Sequence, residues 1–217
     1  GGFVVLGVTK AYVDAAVAAV APLAVLADPG NVLVTVSSNT AISVSSPSAV
    51  VTTTSAAMKL SSVSVSIATG SSGAGGLDTG TLSTSTWYYV WLIAKADGTT
   101  SGLLSASATA PTMPSGYTYK CYVGAVRADS SGYLWRTIQY RRRTKVIAGT
   151  NPTTVPAIAT GPVGSLSGSV VTWSTPSVSS FAPPTALSIL LSADNGAYAS
   201  GGCCQMFIAP STAYTAP

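Results

Sequence analysis

The sequence predicts an all-β protein, an antiparallel β-sandwich or jelly-roll, entered through a short N-terminal helix or stalk segment. Three observations carry that prediction. Apolar residues recur with period two in several short runs, and clusters of Gly, Pro, Ser, Asn and Asp separate the runs. Between the runs there is no helical stretch of the kind a parallel βαβ crossover needs.

The one helical candidate comes first. Thr9 is a capping residue, and Val13, Val17 and Val20 follow at i, i+4, i+7 with Ala16 beside them, a narrow stripe of small and β-branched residues. It suits either the end of a multi-stranded stalk or a single helix packed on the domain, and Asp28-Pro29-Gly30-Asn31 closes it with turn residues. Residues 1–27 are therefore assigned to a helix or stalk segment and 28–217 to the sandwich. From Val32 the period changes to two: Val32, Val34 and Val36, then Val63, Val65 and Ile67 among serines. Between Leu60 and Val63 the apolar parity slips by one, which predicts a bulge. The Gly/Ser-rich stretch 68–76 reads as an exposed loop, and Ala96-Asp97-Gly98-Thr99 as a hairpin turn. Further strands are expected near 117–126, 133–140, 170–173 and 187–191.

One run is apolar on both parities. Trp87, Tyr89, Trp91 and Ile93 point one way and Tyr88, Val90 and Leu92 the other, so both faces need a cover. The cover is either a neighbouring subunit, which would make this an interface strand, or a loop of the same chain.

Composition narrows the function classes. Hydrophobic residues make up 47% of the 217 and charged residues only 7%, against about 25% in an ordinary soluble domain. Ser and Thr take the outward positions that Lys and Glu usually occupy, a weakly repulsive surface suited to a protein packed against other copies. No apolar run is long enough to span a membrane as a helix, because Pro22 and Asp14 interrupt the best one. The start lacks the shape of a signal peptide, and Gly1-Gly2 without Met points to processing or to a piece of a longer chain. Cys121, Cys203 and Cys204 have neither disulfide-framework nor zinc spacing, and they read as buried thiols.

Chemistry is sparse. The absence of His removes the commonest general base and metal ligand. All six acidic residues are Asp, at 14, 28, 78, 97, 129 and 194, and most sit beside turn formers. Two carboxyls facing one cleft, as a glycosidase needs, are not apparent, although Asp78 with Asp97 or Asp129 is the pairing to check. The serines lack an activating base, and Gly70–Gly76 lacks the Lys-Ser/Thr of a phosphate loop. No enzyme, cofactor or metal is expected. The sharpest electrostatic feature is Arg136 with Arg141-Arg142-Arg143-Thr144-Lys145, which carries five of the ten cations behind a net charge of +4. It is either a patch for an anionic partner, such as phosphorylated glycan, an acidic neighbour or DNA, or a solvated strand end; nucleic acid is not the expected partner.

An ordered set of motifs adds a family resemblance. Gly76-Leu77-Asp78-Thr79-Gly80, Thr86-Trp87-Tyr88-Tyr89-Val90, Ala108-Thr109-Ala110-Pro111-Thr112-Met113-Pro114-Ser115-Gly116-Tyr117 and Gly124-Ala125-Val126-Arg127-Ala128-Asp129-Ser130-Ser131-Gly132 follow one another. The pattern resembles a module of tailed-phage virion proteins of the tail-fibre or minor structural type, centred on residues 76–140. The resemblance implies a homotrimeric β-sandwich on a fibre, spike or baseplate appendage. Its partners would be itself, other virion proteins and a host glycan or protein receptor, without membrane insertion, in a virion assembled in the host cytoplasm. Alternatives are a capsid decoration or head-fibre protein and, further off, a bacterial surface adhesin or a polysaccharide depolymerase.

Overall fold

A computed structural model describes residues 31–148, 166–167, 170–171 and 177–189. The N-terminal helix or stalk expected over 1–27, and Cys203 and Cys204, lie outside the described residues. Contacts divide the chain into two compact units, 1–155 and 156–217. The sandwich, expected to run from 28 to 217, lies in the first. In the second, Leu166–Ser167 and Val170–Val171 pair antiparallel. The strand expected at 187–191 is absent from its described part: 187–189 is irregular, with Leu187 95% exposed.

The described residues of the first unit form eight strands: β1 (Leu33–Ser38), β2 (Ala41–Thr52), β3 (Ala57–Ala68), β4 (Trp87–Ala94), β5 (Thr100–Ser105), β6 (Tyr119–Arg127), β7 (Arg136–Tyr140) and β8 (Arg143–Ala148). They form one antiparallel sheet in the order β5-β4-β6-β2-β1-β7-β8, with β3 on the other edge of β2. The sheet doubles over at β2, which pairs with β1 along Ala41–Ser45 and touches β6 only at Thr52, opposite Lys120. Two layers result, an antiparallel β-sandwich. Between them Val34, Val36, Ile42, Val44, Val51 and Ile67 of one layer meet Val90, Leu92, Leu104, Cys121, Val123 and Val126 of the other, all at most 4% exposed. Each fully buried Val, Leu or Ile contributes about 1.5–3 kcal/mol.

The parity slip in β3 is real but is not a bulge. Its pairing with β2 runs without a register shift from Ala41↔Ala68 to Thr52↔Ala57. Both strands change face at the same point instead. Ser46 and then Ala49 are buried on β2, and Val63 and then Leu60 on β3. Pro47, which has no N–H for the ladder, stands at that point, and Ser62 there takes a left-handed φ of +53°. The ribbon bends as a unit and brings the far half of β2 over to β6. True register shifts lie at Val36/Ser38, Val90/Trp91 and Arg136/Thr137.

Two close approaches lock the layers. A Cβ at Gly102 of β5 would overlap the side chain of Ile67, and one at Gly124 of β6 would overlap the carboxamide of Gln139. Gln139 of β7 is buried, and its Nε2 donates to the carbonyls of Val123 (2.6 Å) and Arg141 (2.7 Å) while its Oε1 accepts from Thr144 Oγ1 (3.1 Å). A buried amide with donors and acceptor all engaged ties β7 to β6 without a desolvation penalty.

Candidate binding face

The doubly apolar strand β4 is covered by the chain itself. Its Tyr88, Val90 and Leu92 enter the core between the layers, while Tyr89, Trp91 and Ile93 form a second cluster with Leu103 and Ala125 on the outer side. Ala108, Met113 and Tyr117 of the β5–β6 connection pack over that cluster. Trp91 Nε1 donates to Ser107 O at 3.2 Å, and Tyr122 meets the Trp91 ring edge-on at 5.6 Å. Lys120 and Lys95 lie over the rings of Trp91 and Tyr117. Tyr88–Ile93 is thus buried within one chain, and the loop reading of the two offered by the sequence accounts for its cover.

Asp78 and the 106–118 connection build this cover. Asp78 Oδ2 accepts from Ser105 Oγ (2.6 Å) and from the Thr112 amide (2.9 Å), pinning the connection to β5. Ser107 Oγ accepts from the Ala110 amide, and the Pro114–Tyr117 turn closes with Gly116 at φ +82°. The stretch 68–76, expected to be an exposed loop, runs with Leu77 and Asp78 along the free edge of β5. Gly75 N donates to Gly102 O, Leu104 N to Gly76 O and Asp78 N to Leu104 O, while Leu77 is buried. That edge is closed against strand addition.

The carboxylates are likewise held by backbone. Asp129 Oδ1 accepts from the amides of Ser131 (2.8 Å) and Tyr133 (2.9 Å) in the β6–β7 turn. Asp97 Oδ1 accepts from the Thr99 amide in the β4–β5 turn, and that hydrogen bond lowers its pKa. Asp78, Asp97 and Asp129 each serve a different connection. Among the described residues there is no group of three or more Cys and Asp able to hold a metal, and no helix is long and apolar enough to cross a membrane. The aromatic flank of the basic run also has a packing role: the Arg127 guanidinium lies 5.6 Å from the ring centres of both Trp87 and Trp135.

Cys121 is 4% exposed, and burial pushes its thiol up to about 12 from an ordinary 9.0. It is a packing group with no thiolate near neutrality. Because the folded pKa is the higher, its contribution to stability is complete below about pH 9 and erodes as pH rises toward 12. Iodoacetamide at pH 8.5 is expected to leave Cys121 unlabelled in the native chain and to label it in urea, as peptide mass mapping would register.

The basic residues converge on the β7–β8 hairpin. Arg141 and Arg142 form its two-residue turn, and Arg143 and Lys145 lie opposite Tyr140 and Ile138. Arg136 stands at the far end of β7, about 13 Å away at strand rise, so the expected patch is a cluster of four with one outlier. All five are exposed, as are Ile138 (37%), Tyr140 (52%) and Ile147 (49%). Asn31 Oδ1 accepts from Arg141 Nη2 (2.7 Å), Arg141 Nε (3.1 Å) and Tyr140 Oη (3.2 Å), fixing the base of the turn. Beside Tyr140 a shallow depression of about 550 Å³ is lined by Leu33, Pro47 and Val63 as well as by Asn31, Ser45, Ser46 and Ser62.

No family model, curated protein or solved structure matches the chain.

Proposed function

We propose that the chain is a structural, non-catalytic module of a tailed-phage virion, part of a fibre, spike or baseplate appendage that meets the host surface. The observation that carries this reading is the use made of the residues that resemble that family. Asp78, Thr112, Met113, Tyr117 and Asp129 are all engaged in fastening a connection or a turn onto β4–β6. A motif committed to architecture suits a part of a particle. The unpaired roles of Asp78, Asp97 and Asp129 support a non-catalytic module, since hydrolysis of a glycosidic bond asks for two carboxyls across one cleft.

A threefold assembly belongs to the proposal and rests on the family resemblance, because β4 finds its cover within one chain. Light scattering coupled to size exclusion tests it: a trimer at micromolar concentration is expected, and a monodisperse monomer would count against it. Incubation with host polysaccharide is expected to release no oligosaccharides, whereas reproducible release would overturn the non-catalytic reading.

A further inference from the structure

The charges of the sandwich are segregated. Strands β1, β2, β3, β7 and β8 contain no Asp or Glu, whereas Lys59, Arg136, Arg143 and Lys145 lie on them and Arg141 and Arg142 join two of them. The three described carboxylates stand on the loops of the other layer and on the β6–β7 turn. Among the described residues, then, the strands of the layer that carries the hairpin bring no opposite charge to it.

The turn chemistry points the same way. A two-residue hairpin turn with positive φ calls for Gly, Asn or Asp. Arg141 occupies that position at φ +55°, with Arg142 next to it. A long cationic side chain in the left-handed region is a poor choice for the backbone, and strain of this kind is tolerated where the side chain is needed. Next to the turn, Tyr140 exposes half of its surface beside a depression of mixed lining, Leu33, Pro47 and Val63 together with Asn31, Ser45 and Ser62, and the outer face of β2 and β3 continues as Ser43 opposite Ser66 and Ser45 opposite Ser64.

We propose that this face binds an acidic polysaccharide: Arg141, Arg142, Arg143 and Lys145 meet its carboxylate, phosphate or sulfate groups, Tyr140 meets a sugar ring, and the adjoining serines meet its hydroxyls. The distribution of chemistry selects this ligand over nucleic acid. A duplex presents one phosphate per about 1.7 Å of axis and is held along a continuous basic track. Here the cations are gathered at one hairpin end and the neighbouring surface offers neutral hydroxyls, which matches a hydroxyl-rich chain with spaced charges. The site stands on this geometry; that the glycan comes from a host surface rests on the appendage reading.

The test uses the full-length chain with polygalacturonate, neutral dextran and a short DNA duplex as probes, followed by biolayer interferometry at low and physiological salt. Polygalacturonate is expected to bind, more weakly as salt rises, and dextran and DNA to bind at least about tenfold less well. The triple variant Arg141→Ser, Arg142→Ser, Arg143→Ser is expected to lose at least about tenfold in affinity. Tyr140→Ala is expected to weaken binding without changing the salt dependence. Arg141→Asn, which suits the left-handed turn, is expected to keep or raise Tm while weakening binding, so a loss of affinity is separated from a loss of fold. No binding of polygalacturonate to the folded chain, equal binding by the triple variant, or tighter binding of DNA would each overturn the proposal. If polygalacturonate binds as expected while the chain proves absent from purified particles, the appendage reading fails and the site stands.

Discussion

Trp91→Ala is expected to destabilise the first unit by about 3–5 kcal/mol, the range for removing a buried Trp or Phe from a packed cluster. Trp91 is 5% exposed on a strand in which every residue from Tyr88 to Ala94 is buried. Its removal opens the space under the β5–β6 connection, takes the edge-on partner from Tyr122 and leaves Ser107 O without its indole donor. Urea unfolding followed by far-UV circular dichroism measures the loss as a fall in midpoint. Limited proteolysis should also cut the variant within 106–118 sooner than the wild type, because Met113 and Tyr117 lose the surface they rest on. If Trp91→Ala left the midpoint within a few tenths of a kcal/mol of the wild type, the outer cluster would not be the packed layer described here.

Gly76→Ala is the second large effect, expected at about 2–4 kcal/mol. A Cβ at residue 76 would overlap the backbone carbonyl of Ser71, which has no side-chain freedom with which to yield. The 71–77 turn must open, and with it go the bond from Leu77 N to Ser71 O and the burial of Leu77 at 1% exposure. The same turn supplies Gly76 O to Leu104 N, so the variant also uncovers the edge of β5. An uncovered edge strand recruits other strands. Alongside the drop in Tm, size exclusion should show concentration-dependent species larger than the wild type's.

Much of the sandwich was legible from local pattern. Period-two runs placed β1 and β3, because alternation is imposed by the pleat itself and needs no knowledge of partners, and an unbroken apolar run placed β4. Turn chemistry located the β4–β5 and β6–β7 connections, where Asp97 and Asp129 bond amides two to four residues ahead. What escaped was non-local. The parity slip at Leu60–Val63 looks identical in one strand whether it is a bulge or a bend shared with a partner, and only the pairing with Pro47's strand distinguishes them. Of the strand expected at 187–191 the described part, 187–189, is irregular, and a short apolar run is a weak signal by itself.

The candidate face was legible in part. The arginine run announced its charge, and β7–β8 pairing gathered four of the five cations at one hairpin end while leaving Arg136 at the other. The sequence did not reveal that Asn31 lies 110 residues away at the base of that turn, or that Asp78 reaches across 34 residues to Thr112. Gln139 was not legible: alternation would turn the apolar Ile138 and Tyr140 inward, whereas the structure buries Thr137 and Gln139 and leaves those two exposed. The two-sided apolarity of Trp87–Ile93 demanded a cover but did not say whose. The Pro- and Gly-marked connection 106–118 was the segment available to supply it.

The central claim, a structural part of a virion appendage, is tested most directly by immunogold labelling of intact particles with antibody raised against the purified chain. The account predicts label on the tail or its appendages, at the same place on every particle. Label on capsid faces or vertices, or particles that carry none, would contradict it.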